Sequence, residues 1–502
     1  MRFSTAWHCA PLREHAGLSA LFLIGRGLVD LAGLRLNFIL DWMFLADPED
    51  LRTQLLRTVY YAHASPPGMN LITGLLFKIG GAGHASALAH ALLLLCGLLL
   101  VNAVFHLFRV FGFGVGVALA VASAFSLVPQ SLYFEHLYIY TVPTAALLAL
   151  SAVLFHRAVV RGSFGSWVGF FVICAAIGWL RSTFHLIWFG GVVGLAWVYG
   201  RQAGRARILA AAAAPAAALL ALYLKNLAVF GVFGATSYGP VNLTQVTVRR
   251  LPAAKRAAWV QAGKLSSYAA IDVFAGPEAY LPVLGDPVNP AWPPMLNRLD
   301  RPSIARPNFN HWFYLKVNPQ RQRDALVCLR ARPADYARSV LLNLKGFFSP
   351  STRWHPWDRT ERSPHLQHRQ VLGGYERAYD AVVHRFPFSP VGLYALLLPL
   401  PLAWAIRHAR SLGRATAARA RAQGALLAYC LFQIGYVIGA SIFLTFGEMA
   451  RYRYMIEPML WLIVALGARR LTETPPGLRP LEVRNSNKVR SSWTGAPHSS
   501  SS

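Results

Sequence analysis

The sequence predicts an α-helical polytopic membrane protein, and three observations predict it. Of 502 residues, 55% are hydrophobic and only 14% are charged. The mean hydropathy of +0.38 is too apolar for an ordinary soluble protein of this size. Apolar runs long enough to cross hydrocarbon recur along the chain, with arginines between them. One long polar region, residues 225–389, interrupts this pattern. The expected architecture is therefore about ten transmembrane helices, amphipathic helices in the first outer loop, and a mixed extracytoplasmic domain inserted before the last three helices.

The net charge of +28 does not mark a nucleic-acid binder. Its arginines sit mostly between apolar segments, where they suit anionic lipid surfaces and the positive-inside bias, and no nucleic-acid-binding motif accompanies them. The five cysteines are Cys9, Cys96, Cys174, Cys328 and Cys430. They form no CxxC pair, so neither a zinc site nor a disulfide framework is expected.

The first span is expected at 17–40, uncleaved, with Arg26 and Asp30 spaced to pair on one helix face. "DPED" then reads as a helix start. Asp47 suits the N-cap, Pro48 the first helical position, and Glu49 and Asp50 the positive end of the dipole. Leu51, Leu55 and Val59 form the apolar stripe of a helix lying on the membrane surface, and Pro66 and Pro67 end it. The stretch "GMNLITGLLFKIGG" is short for a span and reads as a re-entrant or interfacial helix.

Further spans are expected at 84–108, 114–132, 137–155, 164–180, 184–199 and 208–224, and then at 390–406, 424–446 and 454–466. If the proline-led stretch does not cross, the basic loops share the cytoplasmic face. Both termini then lie in the cytoplasm, and Asp41, Glu135, Arg181 and Glu448 lie outside. The domains follow: a membrane region 1–224 with its first outer loop at 41–83, an extracytoplasmic domain 225–389, C-terminal helices 390–470, and a low-complexity tail 471–502 expected to be disordered. Within the polar domain, "NPQRQRDALVCLRARPADYARSVLLNLKGFF" reads as two helices, the second begun by Pro333.

Acidic residues are scarce, 21 against 49 basic, so those at outer span ends are weighed singly. Asp41, beside Trp42 at the water boundary, is a candidate general base, and the bland reading is an interfacial carboxylate. Asp47 competes with it, although capping already explains Asp47. Glu135, in "SLYFEHLYIYTVP", is a candidate second acid or else a solvated loop residue. Arg181 would meet a lipid headgroup phosphate or a substrate phosphate. Glu448, Arg451, Arg453 and Glu457 cluster in "FGEMARYRYMIEPMLW", where forked guanidiniums suit a phosphate ester and the carboxylates an internal ion-pair network. Lys225 marks a membrane edge. His63, His311 and His355 show no metal-ligand spacing. The aromatics of "FFSPSTRWHPW" could stack on a sugar or pack on the bilayer.

Taken together, Asp41 after the first helix, "HASPPGMN", "FEHLYIYTVP" and "GEMARYRYMIEP" resemble the GT-C superfamily of integral-membrane glycosyltransferases, close to bacterial protein mannosyltransferases and aminoarabinose transferases. In the family a His-Pro-Pro-Leu-like motif follows a first-loop acidic pair. Here Ser65 is inserted after His63-Ala64, Gly68 replaces the leucine, and Asp41 is followed by Trp42. The resemblance implies a polyprenyl-phosphate-linked sugar as donor and a lipid, protein or glycan acceptor. It also implies inversion at the anomeric carbon and a bacterial inner-membrane enzyme working on the outer face. On that reading Asp41 is the base. Arg181, Lys225, Arg451 and Arg453 hold the phosphate, with Glu448 beside them. His63 and Ser65 form a wall of the lipid-substrate site. No nucleotide cofactor is expected and no metal is required. Two other readings compete: a transporter or flippase of a lipid-linked substrate, and a noncatalytic scaffold binding anionic lipid.

Overall fold

The computed structural model describes residues 12–348, 364–383, 398–413, 415, 417–445, 447 and 449–472. The protein is mostly α-helical. Its N-terminal part runs α1 (Leu12–Leu31), α2 (Pro48–Thr53), α3 (Leu55–Tyr61), α4 (Gly68–Val110), α5 (Val115–Leu127), α6 (Pro129–Glu135), α7 (Thr141–Arg161), α8 (Phe164–Leu180), α9 (Leu186–Tyr199) and α10 (Arg205–Phe230). The polar region holds α11 (Gly239–Val246), α12 (Ala253–Gln261), the short α13 (Leu281–Leu284) and α14 (Pro294–Asn297), α15 (Phe313–Ala331), α16 (Pro333–Phe347) and α17 (Pro364–Val383). It also carries a two-stranded antiparallel ribbon, β1 (Asp300–Arg301) with β2 (Arg306–Pro307). The chain closes with α18 (Pro399–Gly413), α19 (Ala418–Leu444) and α20 (Met449–Thr472).

By length and composition α4, α7, α10 and α19 can each cross a membrane, and α5 with α6 makes a fifth candidate if the bent pair is one span. Two shorter apolar helices, α8 and α9, stand beside them. Large apolar side chains such as Leu21, Ile24 and Leu28 on α1, Leu95 on α4 and Leu220 and Leu224 on α10 are exposed. Such a surface needs a nonpolar surround. These are the features of a multi-pass membrane protein.

Several helix ends differ from the expected ones, each for a local reason. The first helix stops at Leu31, not near residue 40. Gly33 takes a positive φ of 97°, and the Leu34 amide closes back on the Val29 carbonyl at 3.2 Å, which ends the helix. Residues 34–40 are then non-helical, and Asn37 makes a parallel bridge with Leu137. The expected span 114–132 is broken after Leu127, because Pro129 starts a new helix that turns by 59°. The expected break between "GMNLITGLLFKIGG" and the next span is present. Gly81 adopts φ 61°, ψ −172° inside the long α4. At ~1.5 Å per residue an unbroken helix of that length would far exceed a bilayer core.

The main hydrophobic core gathers α4, α5, α7, α8, α19 and α20 around residues such as Phe105, Phe155, Trp167 and Tyr429. The polar region has its own core of Val241, Val273, Tyr280, Phe309, Phe313 and Tyr314, and Ala64 of the first loop is part of it. First loop and polar region are thus packed as one layer. The expected helix pair is α15 and α16, with Pro333 opening the second.

Candidate functional site

Asp47 caps α2 as its sequence predicts. One carboxylate oxygen accepts from the Glu49 amide at 2.9 Å, and the other accepts from the Ser303 amide at 3.0 Å. Both oxygens therefore hold backbone amides. Asp41 is different: its side chain is 48% exposed, with Arg306 at 3.6 Å. Of the two, only Asp41 offers its carboxylate to solvent.

The backbone around Asp41 is shaped by a residue that sequence reasoning missed. Arg301, in β1, is 2% exposed. Its Nη1 donates to the carbonyls of Leu40 (3.2 Å), Trp42 (3.0 Å) and Leu45 (3.0 Å), and its Nη2 to that of Asp41 (2.9 Å). Burial pulls its pKa down to about 10, with Asp41 and Asp47 acting against that shift. Asn70 completes the brace, accepting from the Ala46 amide at 2.8 Å and donating to the Phe44 carbonyl at 3.3 Å. No motif marks Arg301, because its partners are backbone atoms roughly 260 positions away.

"HASPPGMN" is a packed corner. His63 is buried, with Nδ1 2.7 Å from Ser237 Oγ and Nε2 2.8 Å from the Asn310 carbonyl. Both ring nitrogens are taken up by partners in the polar region. Burial lowers its pKa to about 3. Ser65 donates to the Phe44 carbonyl at 3.0 Å. Gly68 packs where no larger residue fits, since a Cβ there would lie 2.6 Å from the Trp179 carbonyl oxygen.

Above this corner opens a cleft of about 840 Å³, counting its mouth. Trp42, Phe44, Ser65, Tyr138, Tyr140, Arg181, Thr183, Tyr238 and Tyr452 line it. Arg181 is 4% exposed. Its guanidinium sits 4.4 Å from the Tyr140 ring centre and 4.0 Å from that of Tyr452, and its Nε donates to Thr183 Oγ1 at 3.3 Å. Arg451 reaches the same aromatic group from α20, donating to the Tyr140 hydroxyl at 2.8 Å with Trp42 5.4 Å away. Two guanidiniums thus meet at one tyrosine, Arg181 in the cleft wall and Arg451 buried behind it. Among the described residues no carboxylate lines this cleft. Asp41 is adjacent in sequence to Trp42, which does.

A second cavity of about 1100 Å³, open space included, adjoins the first. The two share Ser182, Thr183, Thr236 and Asn242. The second is lined by apolar groups such as Leu186, Ile187, Phe233 and Leu444, from α9, the segment after α10, and α19.

The remaining candidates lie elsewhere. Glu135 is neither solvated nor beside Asp41. It is buried in a two-pronged ion pair with Arg26, through Nε and through Nη2 at 3.0 Å. Arg26 therefore does not pair with Asp30, whose carboxylate lies 3.2 Å from His136 Nε2. Lys225 donates to the carbonyls of Tyr60 (3.0 Å) and Ala62 (3.2 Å) at the end of α3. Arg453 turns to the Phe347 carbonyl at 2.9 Å, and Glu457 accepts from Gln130 at 3.3 Å. Glu448, His355, the aromatics from Ser349 to Trp357 and the tail from Glu473 onward lie outside the described residues.

Comparisons with protein-family models, with curated proteins and with solved structures each found no match.

Proposed function

We propose that the protein is a membrane glycosyltransferase of GT-C type. It takes a sugar from a polyprenyl-phosphate donor and passes it, with inversion, to a lipid, protein or glycan acceptor outside the cytoplasm. One observation carries this reading: a cation-and-aromatic cleft continuous with an apolar cavity beside membrane-spanning helices. A lipid-linked donor needs both parts, a polar pocket for phosphate and sugar and an apolar groove for the first isoprene units.

On this reading the acceptor hydroxyl attacks the anomeric carbon as the bond to the phosphate oxygen breaks. The electron pair leaves with the phosphate, and Arg181 in the cleft wall, backed by the buried Arg451, stabilises the charge. The hydroxyl proton passes to Asp41 at the rim, a base contribution worth about 10²–10⁴ in rate. Phosphate is already a good leaving group, so no strong general acid is called for. Tyr138, Tyr140 and Tyr238 line the pocket in which the sugar ring would lie.

That no carboxylate lines the cleft among the described residues favours one second reading, a flippase that binds the same headgroup and moves it unchanged. One assay separates the two. Full-length protein in lipid nanodiscs is given radiolabelled polyprenyl-phosphate sugar. The transferase should release or transfer sugar, Asp41→Asn should lower turnover at least about 100-fold, and Arg181→Gln should weaken donor use. Transport of intact donor without sugar release supports the flippase. Full turnover by Asp41→Asn removes Asp41 as the base.

A further inference from the structure

The bridge between Asn37 and Leu137 brings the end of α1 against the link from α6 to α7. There Asp30, His90 and His136, from three separate segments, each present one ligand atom, all within 4.8 Å of one another. His136 is buried, and its Nδ1 lies 2.7 Å from the Leu132 carbonyl oxygen. A carbonyl only accepts, so Nδ1 carries the hydrogen. In the neutral ring Nε2 is then a bare lone pair, and it points at Asp30 Oδ1 from 3.2 Å.

Two acceptors do not approach that closely without something positive between them. A proton on Nε2 would suffice for this pair, but it leaves His90 unexplained. The His90 ring centre is 5.0 Å from that of His136, and its Nε2 is buried without a hydrogen bond. A buried ring nitrogen left without a partner is costly. A single ion would satisfy all three groups together.

We infer that Asp30, His90 and His136 hold one divalent transition-metal ion of the zinc class. Two imidazoles and one carboxylate are a donor set that zinc accepts and that calcium and magnesium, which prefer all-oxygen shells, do not. Bonds of roughly 2.0–2.1 Å in a tetrahedron place ligand atoms about 3.3 Å apart. The Asp30–His136 separation of 3.2 Å already matches, and the remaining ligand atoms need to close by about 1.5 Å at most. The Leu132 carbonyl on Nδ1 is the kind of outer partner that fixes a ligating histidine's tautomer. Asp30 is 31% exposed at its side chain, which leaves room for a water as fourth ligand and a path of entry.

The surrounding charges are mixed. Arg35 acts on His90 against a cation, and Glu135 acts on His136 in its favour, though Arg26 offsets Glu135. Only a few residues separate His136 from Tyr138 and Tyr140 in the cleft wall. The ion would thus fasten α1, α4 and the start of that wall, whether or not the cleft performs transfer.

The test uses full-length protein in detergent, stripped with chelator and titrated with Zn²⁺ or Co²⁺ alone. One equivalent of zinc should bind, and cobalt should give the visible absorption of a four-coordinate site with nitrogen ligands. His90→Gln and Asp30→Asn should each weaken binding at least about tenfold. His84→Gln, altering an exposed histidine on the same helix, should not. Zinc should raise the thermal midpoint of the unaltered protein but not that of His90→Gln. Unchanged zinc affinity in folded His90→Gln and Asp30→Asn overturns the assignment. So does failure of the unaltered protein to bind either metal at micromolar concentration.

Discussion

His63 shows how a residue with a catalytic look can be structural. Its two ring nitrogens tie the first loop to Ser237 and Asn310, and burial holds its pKa at about 3. The unfolded chain binds a proton on this histidine near pH 6.5, and the folded chain does not until far lower. The contribution is therefore fully present above about pH 6.5 and is lost as pH falls toward 3. His311, held by burial at about 4, acts in the same direction. We predict that the packing of the first loop on the polar region loses roughly 1.4 kcal/mol per pH unit between about pH 6 and 4 from His63 alone. Hydrogen exchange at the Ser237 amide, which donates to the His63 carbonyl at 2.8 Å, should follow that slope, and His63→Gln should flatten it. An exchange rate independent of pH, after correction for intrinsic rates, would contradict the assignment.

Residues with local partners were legible in the sequence. Asp47 announces itself through Pro48, Glu49 and Asp50, whose positions follow from helix-end chemistry. Arg301, Asn70 and Glu135 were not legible in the same way. Their partners are supplied by segments distant in the chain, and nothing in the neighbouring letters encodes them. The Asp30, His90 and His136 group is hidden for the same reason, since spacing rules find ligands only within one or two elements.

Among the helices, apolar length predicted existence better than boundaries. Residues 164–180 form a helix with the expected ends, because Ser163 caps it and Arg181 begins an extended turn. Apolar length overstates the first helix because Gly33, a stop signal, sits among leucines, and Pro129 is hidden in the same way inside an apolar run. The apolar stripe expected over 48–61 packs inside the protein, with Leu51 and Leu55 buried beside Ala46, Val59 and Leu71, and the helix breaks at Gln54. Removing its cap should be felt locally. Asp47→Ala should cost about 0.5–2 kcal/mol and speed amide exchange at Glu49, Asp50 and Ser303, whereas Asp47→Ser should keep much of the protection. Protection in Asp47→Ala equal to that of the unaltered protein would mean that the carboxylate contributes nothing to α2.

For the molecule as a whole, class was legible and topology only partly so. The arginine-bearing loops predict that the polar region faces out of the cytoplasm. Its packing against the first loop requires 41–67 and 237–317 to share a side, since His63, Asp47 and Asp41 all bond to that region. A cysteine placed at Ser267 should therefore label from outside intact cells, as should one at the exposed Thr53. Labelling of Ser267 from the cytoplasm alone would reverse the orientation and remove the proposed donor site from the outer face.

The brace that Arg301 forms also bears on how the protein is made. Asp41 and its neighbours leave the ribosome some 260 residues before the arginine that gathers their carbonyls. During synthesis the first loop must wait, its backbone open to water, until the ribbon of β1 and β2 has been made and has folded back onto it. The loop that carries Asp41 is therefore among the later parts of this layer to take shape. A chain cut short before residue 301 would insert its early helices yet leave Asp41 on an unformed loop.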